Sequence, residues 1–293
     1  MKPPPFEYHA PATTVEAARL LRDLEDDEAK CLAGGQSLVP LMNLRLARPG
    51  HLIDLNRVEG LQGITATKRG WRIGALTRHA QIEDSAELAS GLKLLPQVAG
   101  QIGYRAIRTR GTIGGAICHA DPVAEWPMIA RLLDMEFEVS GPDGTREIAA
   151  ADFFLTVFTP AIEPDEILTA LEVRLPKGRW VTGFSEFARK TGDYAVVAAG
   201  VFLELDKKDG ISAARVALSG VDLTPHRSEA AESALVGTDP RDATAHERVA
   251  AAAADAVEPS GDLHGSSDFR RQLVRAELQR ALSDAASNLG GSR

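Results

Sequence analysis

The sequence predicts an α+β protein, with a mixed N-terminal half and a C-terminal half in which a sheet precedes helices. From residue 60 to residue 176, short β-like runs alternate with helical ones. Residues 195–221 read as two long strands joined by a turn at Lys207 to Gly210. The tail, 268–286, has a helical spacing of large apolar residues, namely Phe269, Leu273, Leu278 and Leu282.

The N-terminal elements follow from local patterns. Residues 13–26 predict an amphipathic helix, because Thr13 and Glu16 have capping-box spacing and three leucines share one face, Leu20, Leu21 and Leu24. Short strands are expected at "AKCLA" (29–33) and "HLIDL" (51–55). These two strands flank a glycine-containing stretch.

The remaining elements are predicted in the same way. Strands are expected at "WRIGALT" (71–77), "EFEVSG" (136–141) and "ILTALEVRLP" (167–176). Helices are expected at "AELASGLKLLPQVAGQI" (86–102), "AEWPMIARLLDM" (124–135) and "RVAAAAADAV" (248–257). The Pro-Lys-Gly turn in "LPKGRW" (175–180) predicts a domain boundary.

Composition limits the class of protein. The chain has 293 residues, 44% of them hydrophobic and 25% charged, which is typical of a globular protein. No stretch approaches the roughly 20 apolar residues of a transmembrane helix, and the early prolines disfavour a signal peptide, so we expect a cytoplasmic protein. A net charge of −8 without a basic cluster argues against nucleic acid as a partner.

Cysteine and histidine usage predicts no metal site. The only cysteines, Cys31 and Cys118, lie far apart in sequence, which favours reduced thiols and gives too few ligands for an iron–sulfur cluster. Cys118 and His119 have no third ligand at a suitable spacing. The other six histidines are scattered, without a His-x-x-x-His pair.

The motif "AGGQSL" (33–38) follows a predicted strand and precedes a predicted helix. Paired glycines permit positive φ and close approach of a ligand, and Ser37 stands at the N-cap position with Pro40 in the first turn. Successive N–H groups and a helix N-terminus together favour an anion. The alternative is a simple tight turn between strand and helix.

A second glycine-rich stretch, "RTRGTIGGAICHADPVAEWP" (108–127), strengthens the first interpretation. It combines glycines around a threonine with two later acids, Gly111, Thr112, Gly114, Gly115, Asp121 and Glu125. Two such loops predict a ligand with two phosphates, and the acids suit sugar hydroxyls, so a dinucleotide is expected. Arg108 and Arg110 either reach phosphate or are solvated at the surface.

Together with "LIDLNRV" and "FARKTGDYAVV", these motifs resemble the FAD-binding medium subunit of the molybdenum hydroxylases, the family of xanthine dehydrogenase and aerobic carbon monoxide dehydrogenase. The resemblance implies a two-lobed FAD-binding domain of the vanillyl-alcohol oxidase (PCMH) type at 1–176, with lobes of about 1–57 and 58–176. It implies a smaller C-terminal domain, 177–293, with a three-stranded antiparallel sheet and helices.

The resemblance also implies partners. These are a large subunit with molybdopterin and a small subunit with two [2Fe–2S] clusters, assembled as a dimer of heterotrimers. Only FAD belongs to this chain. It is expected to be non-covalent, because Gln36 stands where a histidine links to the flavin in some proteins of the wider fold.

Carried over by position, the resemblance implies two phosphate loops. The first comprises Ala33, Gly34, Gly35, Gln36, Ser37 and Leu38, and the second comprises Thr112, Ile113, Gly114, Gly115 and Ala116. Many relatives have asparagine at the last of these positions, so Ala116 puts one side-chain contact in doubt. Glu125, assisted by Asp121, would hold the hydroxyl-bearing chain of the flavin.

Five further residues are implied near the flavin. Ile102 and Ile167 would pack near its rings, although an isoleucine is more often core than cofactor wall. Lys190, Asp193 and Tyr194 would approach its reactive side from the C-terminal domain. Tyr194 could instead be a half-buried aromatic at a strand start.

The implied function is electron transfer. FAD would take electrons from the iron–sulfur clusters and deliver them to an acceptor, which the sequence leaves open among NAD, a quinone, a cytochrome and oxygen. No residue of this chain is predicted to be catalytic. Two alternatives are a stand-alone flavin-dependent oxidoreductase of similar fold and a non-catalytic nucleotide-binding module.

Overall fold

A computed structural model describes residues 2–290 of the chain. The strands are β1 Glu7–His9, β2 Lys30–Leu32, β3 His51–Asp54, β4 Ile64–Thr67, β5 Gly70–Gly74, β6 Glu136–Gly141, β7 Gly144–Ala149, β8 Phe154–Thr156, β9 Thr159–Pro160, β10 Ile167–Arg174, β11 Arg179–Ala188, β12 Ala195–Leu205, β13 Ile211–Ser219 and β14 His226–Arg227. The α-helices are α1 Thr14–Asp23, α2 Leu38–Asn43, α3 His79–Glu83, α4 Ala86–Gly91, α5 Leu94–Gln101, α6 Arg105–Arg108, α7 Ile113–His119, α8 Glu125–Leu132, α9 Ala150–Phe153, α10 Glu229–Leu235, α11 Ala243–Asp255 and α12 Ser267–Ser287.

The first sheet is parallel, in the order β1-β3-β2, and α1 covers it. Thr13 caps α1 by accepting a hydrogen bond from the Glu16 N–H at 3.2 Å. Glu16 Oε2 accepts from Ala12 N at 2.9 Å, one residue before the expected donor. Only half of the predicted capping box therefore forms. The predicted helix also ends early, at Asp23, where a 3-10 turn follows.

The second sheet is antiparallel throughout, in the order β4-β5-β10-β6-β7. Its core contains large buried aromatic side chains, Trp126, Phe137 and Phe153. The predicted helix at 86–102 is interrupted between α4 and α5. At the end of α4, Gly91 packs so closely on the Trp71 ring that a Cβ there would overlap the ring.

The third sheet is antiparallel, in the order β11-β12-β13-β14. It has the three long strands that the resemblance implies, and the two-residue strand β14 extends it to four. Helices α10 to α12 cover one face, and α12 approaches so closely that a Cβ at Gly183 would lie 2.6 Å from the Ala285 nitrogen. This close packing requires glycine at position 183.

The other face of the third sheet packs on α8, which belongs to the N-terminal half. A Cβ at Gly200 on β12 would lie 2.8 Å from Leu132 Cδ2 on α8. Because both faces are covered, β12 is an apolar run without alternation, and nine of its residues are buried. The contact fixes the C-terminal end of α8 against the C-terminal sheet.

Two further observations complete the fold. Strand β1 is absent from the sequence prediction, since its Glu-Tyr-His composition carries no strand pattern. Among residues 2–290, no helix combines the length and apolar composition needed to cross a membrane.

Candidate functional site

The first loop (residues 33–38) connects β2 to α2 and presents free backbone donors. Gly35 has φ of +72°, the left-handed conformation that glycine adopts without strain. Within the described part of the chain, no acceptor binds the N–H groups of the five consecutive residues from Gly34 to Leu38. A run of unpaired N–H groups at a helix start is an anion-binding arrangement.

The donors stay free because the side chains of the loop do not take them. Ser37 stands at the predicted N-cap position, but its backbone is in the αR region and its side chain makes no capping hydrogen bond. Gln36 instead donates from Nε2 to the Gly34 carbonyl at 3.2 Å, which steadies the turn. The first loop therefore keeps its amide donors for a ligand.

The second loop (residues 112–116) is built differently. Thr112 caps α7, and its hydroxyl accepts from the Gly115 N–H at 3.1 Å. The N–H groups of Ile113 and Gly114 donate to the carbonyls of Thr77 and Ala75, at 3.1 and 2.8 Å. The Ala116 N–H donates to the Thr112 carbonyl at 3.1 Å. The N–H groups of residues 113–116 are therefore already bonded within the protein. The second loop instead lets the first loop lie close to it.

The glycines bring the two loops together. A Cβ at Gly34 would overlap the Arg110 carbonyl and lie 2.7 Å from Gly111 Cα. A Cβ at Gly115 would lie 3.4 Å from the Ala33 Cβ and 2.7 Å from the Thr112 hydroxyl. Gly115 is helical, so the positive φ expected of the paired glycines holds for Gly35 alone.

Arg78, which the sequence analysis did not identify, joins the loops from the N-cap position of α3. Its guanidinium donates to the Arg110 carbonyl and, at 2.5 Å, to Asn56 Oδ1. Asn56 Nδ2 in turn donates to the Ala33 carbonyl at 2.9 Å. Burial, together with the nearby Arg110 charge, lowers the pKa of Arg78. Its only sequence signal is the "TRHAQ" run after β5.

The two arginines proposed for phosphate differ in their surroundings. Arg108 is committed to Glu83 Oε2 at 2.8 Å and to the Gly103 carbonyl at 2.7 Å, so its role is structural. The Arg110 side chain is exposed and has no hydrogen bond or ion pair to any described residue. Arg110 is the cation beside the first loop that can bind an anion.

His79 supports the second loop without titrating near neutral pH. It is 4% exposed, and Trp126 Nε1 donates to its Nδ1 at 3.0 Å. Burial, then the charges of Arg108 and Arg78, lower the pKa of His79 to about 4. A Cβ at Gly111 would lie 2.7 Å from the His79 ring. His79 is therefore a neutral packing partner of the loop.

Acidic residues lie on the side of the site facing the C-terminal domain. Asp121 accepts from the Val123 N–H at 3.1 Å, and Glu125 begins α8 with 6% of its surface exposed. Burial, with a smaller effect from Asp121, raises the pKa of Glu125 to about 7. The predicted acids thus lie near each other, one of them in a buried position.

Tyr194 connects these acids to the first loop. The pKa of the Tyr194 phenol lies above its ordinary value, first because of partial burial and then because of the nearby Asp121 charge. A hydrogen bond with Ser37 opposes this rise, and the Glu125 charge adds to it. The residue as a whole is 56% exposed. The structure therefore brings Tyr194 to the first loop and to both predicted acids.

The loop carrying Lys190, Asp193 and Tyr194 rests on the N-terminal half. Gly192 has φ of +78°, and a Cβ there would lie 3.1 Å from the Tyr104 ring. The Asp193 N–H donates to the Lys190 carbonyl at 3.1 Å, which closes the turn. Lys190 itself is exposed.

The two isoleucines lie in apolar surroundings. Ile102 directly follows α5, is half-buried and packs against the second-sheet core. Ile167 begins β10, is 3% exposed and belongs to the core that contains Ala17 and Leu21. Their contacts with a flavin stay predictions.

Both cysteines are free, and burial raises each thiol pKa to about 12, so neither is a nucleophile.

Glu186 on β11 is a second residue that the sequence analysis did not identify. Its Oε2 is buried and has no hydrogen-bond partner among residues 2–290. Burial, then Glu125 and Glu277, raise the pKa of Glu186 to about 8. Its run, "FSEFARK", reads as an ordinary strand, and only the packing of the domains places this carboxyl near Glu125.

Free amides in the first loop, the unpaired Arg110 and two acids that Tyr194 connects to this loop define the class as a dinucleotide-binding protein. The model of the FAD-binding domain in molybdopterin dehydrogenase matches residues 4–178, and that of the CO dehydrogenase flavoprotein C-terminal domain matches residues 182–285. The chain belongs to this family of FAD-binding medium subunits of molybdenum hydroxylases.

Individual relatives match along nearly their whole length. The chain is 38% identical to subunit alpha of the 6-hydroxypseudooxynicotine dehydrogenase complex of Paenarthrobacter nicotinovorans, over 97% of this chain and 96% of that protein. It is 38% identical to the carbon monoxide dehydrogenase medium chain of Hydrogenophaga pseudoflava, over 97% and 98%. A solved carbon monoxide dehydrogenase from the latter organism, lacking the Mo-pyranopterin moiety, gives a TM-score of 0.93 at 37% identity, covering 98% of this chain and 99% of that chain.

The first loop predicts the effect of substitutions on cofactor content. Gly35→Val should abolish FAD binding, because a branched side chain opposes the positive φ that shapes the loop and would crowd the Val39 and Leu32 side chains. Gly115→Val should do the same by displacing Thr112 and Ala33. The measurement is flavin per chain, released by acid precipitation. Gly60→Val is the control, since Gly60 has φ of +79° with open space around it. Equal flavin content in all three folded variants would contradict the assignment.

The buried carboxyl of Glu186 predicts that the stability of the flavin-free protein depends on pH. Since the pKa of Glu186 is about 8, above its ordinary value, the folded state holds a proton that the unfolded state releases. The free energy of unfolding should therefore fall as pH rises from about 4.5 to about 8. Urea titrations at pH 5 and pH 9 should show a smaller fall in Glu186→Gln. The exposed Glu87→Gln should behave as wild type, and an unchanged fall in Glu186→Gln would refute the effect.

Proposed function

We propose that this chain binds one FAD and serves as the electron-transfer subunit of a molybdenum-containing hydroxylase. Bound FAD would supply the redox chemistry that connects the [2Fe–2S] clusters of a partner subunit with an external acceptor. The chain's own residues bind the cofactor, orient it and control access to it. The observation that carries this proposal is the run of free N–H groups at Gly34 to Leu38, which suits the pyrophosphate.

The residues around the first loop support the orientation of the cofactor. Arg110 supplies a positive charge beside the free amides, and the Gly34 contact with Gly111 holds the second loop against the first. Asp121 and Glu125 would accept hydrogen bonds from the hydroxyl-bearing chain of the flavin. Ala116 has no side-chain donor, so any contact at that position is through its backbone.

The remaining assignments concern the residues around the flavin ring and whether FAD is bound covalently. Tyr194 and Asp193 would cover the reactive side of the flavin from the C-terminal domain, with Lys190 at the rim and Ile102 and Ile167 along the apolar side. We propose that FAD is non-covalent, because the Gln36 amide has no nucleophilic nitrogen and is already bonded to Gly34.

The proposed complex contains a large molybdopterin subunit and a small two-[2Fe–2S] subunit, as a dimer of heterotrimers in the cytoplasm. Relatives named as medium chains or as subunits of a complex support the association. We also propose the division of this chain at about residue 176, with lobes of about 1–57 and 58–176. The separate sheets β1-β3-β2 and β4-β5-β10-β6-β7 support it.

Tyr194 provides the test of this function. Tyr194→Ala in the assembled complex should change the rate of flavin reoxidation by the external acceptor, because the ring lies beside Ser37 and Asp121. Substrate-driven reduction of the molybdenum and iron–sulfur centres should stay near normal. Rapid-mixing spectra of the flavin and iron–sulfur bands separate the two half-reactions.

The control is Tyr8→Ala, since Tyr8 and Tyr194 are each 56% exposed. The isolated chain should be yellow and inert toward organic substrates. Unchanged reoxidation in Tyr194→Ala would remove the assigned role of Tyr194. Turnover of a substrate by the isolated chain would overturn the proposed function itself.

A further inference from the structure

Strands β1 and β3 bring together three side chains with metal-ligating atoms. Glu7 and His9 are two residues apart on β1, so they point to the same face of the sheet. The parallel register places Glu7 beside His51 on β3. Glu7 is exposed and the two histidines are half-buried. The cluster is therefore open to solvent on one side and supported by the sheet on the other.

The distances between the ligating atoms are compact. His9 Nε2 lies 3.0 Å from His51 Nδ1, and the same Nδ1 lies 3.6 Å from Glu7 Oε2. All three atoms lie within 4.8 Å of one another. Tetrahedral zinc, with bonds of about 2.0–2.1 Å, separates its ligand atoms by roughly 3.3 Å. The cluster thus needs little movement to bind one ion.

The carboxylate of Asp27 lies beside His51 and can orient its ring. Its Oδ2 lies 3.7 Å from Nε2 of His51, the ring nitrogen that faces away from the other two ligands. The Gly50 N–H donates to the Asp27 carbonyl at 3.0 Å, and a Cβ at Gly50 would lie 2.6 Å from that oxygen. Metal-bound histidines commonly have such a carboxylate on the second nitrogen, where it fixes the ring and raises its basicity.

We propose that Glu7, His9 and His51 bind one divalent zinc-type ion, with water at the fourth position and Asp27 orienting His51. Two imidazoles and one carboxylate suit zinc and its transition-metal neighbours rather than Mg²⁺ or Ca²⁺, which prefer oxygen ligands. Among residues 2–290, this is the one group of three such ligands. The ion would pin β1, which has three residues, to β3, on the opposite side of β3 from β2.

The test is calorimetric titration of tag-free, FAD-loaded full-length chain with ZnCl₂ after treatment with EDTA. We expect one ion per chain with wild-type protein and no response to MgCl₂. His9→Gln and His51→Gln should each weaken zinc binding by at least 10-fold, and Asp27→Asn by about 10- to 100-fold. His264→Gln is the matched control, because His264 is an exposed histidine on a distant loop. It should bind zinc as wild type does.

A second measurement keeps the proposal testable if a variant folds poorly. Zinc should raise the Tm of the wild-type chain, because an ion that binds only the folded state stabilises it. Flavin content verifies that each variant is folded. Zinc binding that survives both histidine substitutions, or no saturable binding to the wild type, would overturn the proposal. In the latter case the two imidazoles would only hydrogen-bond each other.

Discussion

The close contact between Gly34 and the Arg110–Gly111 backbone is the constraint on which the rest of the site depends. A side chain at Gly34 would overlap the Arg110 carbonyl, so only glycine lets the loop of the first sheet meet the loop of the second. Arg78 then spans the junction by binding the Arg110 carbonyl and Asn56. This contact sets the free amides of the first loop against the start of α7.

The C-terminal sheet depends on a second close contact. Because Gly200 on β12 has no side chain, α8 approaches the sheet closely through Leu132. That approach brings Glu125, at the start of α8, near Glu186 on β11 and near Tyr194. The same packing that covers the sheet therefore places the carboxyls of Glu125 and Glu186 near each other and brings Tyr194 to the first loop.

Local patterns in the sequence predicted the long strands, most of the long helices and both loops, because glycine pairs, caps and apolar periodicity act over a few residues. They missed the short strand β1 and the break between α4 and α5. They did not predict that the two loops differ. The N–H groups of Ile113 and Gly114 are bonded to carbonyls of Thr77 and Ala75, which lie more than 30 residues earlier in the chain. Arg78, Glu186 and the Glu7–His9–His51 cluster were missed for the same reason, since each acquires its role only from distant chain segments.

Amide hydrogen exchange measures the central claim most directly, which is that the first loop binds the pyrophosphate through free N–H groups. In flavin-free chain, amides 34–38 should exchange rapidly and amides 113–116 slowly, because only the latter have protein acceptors. Adding FAD should protect amides 34–38 and change amides 113–116 little. Amides 34–38 that are unaffected by FAD, with protection appearing at 113–116 instead, would contradict the account.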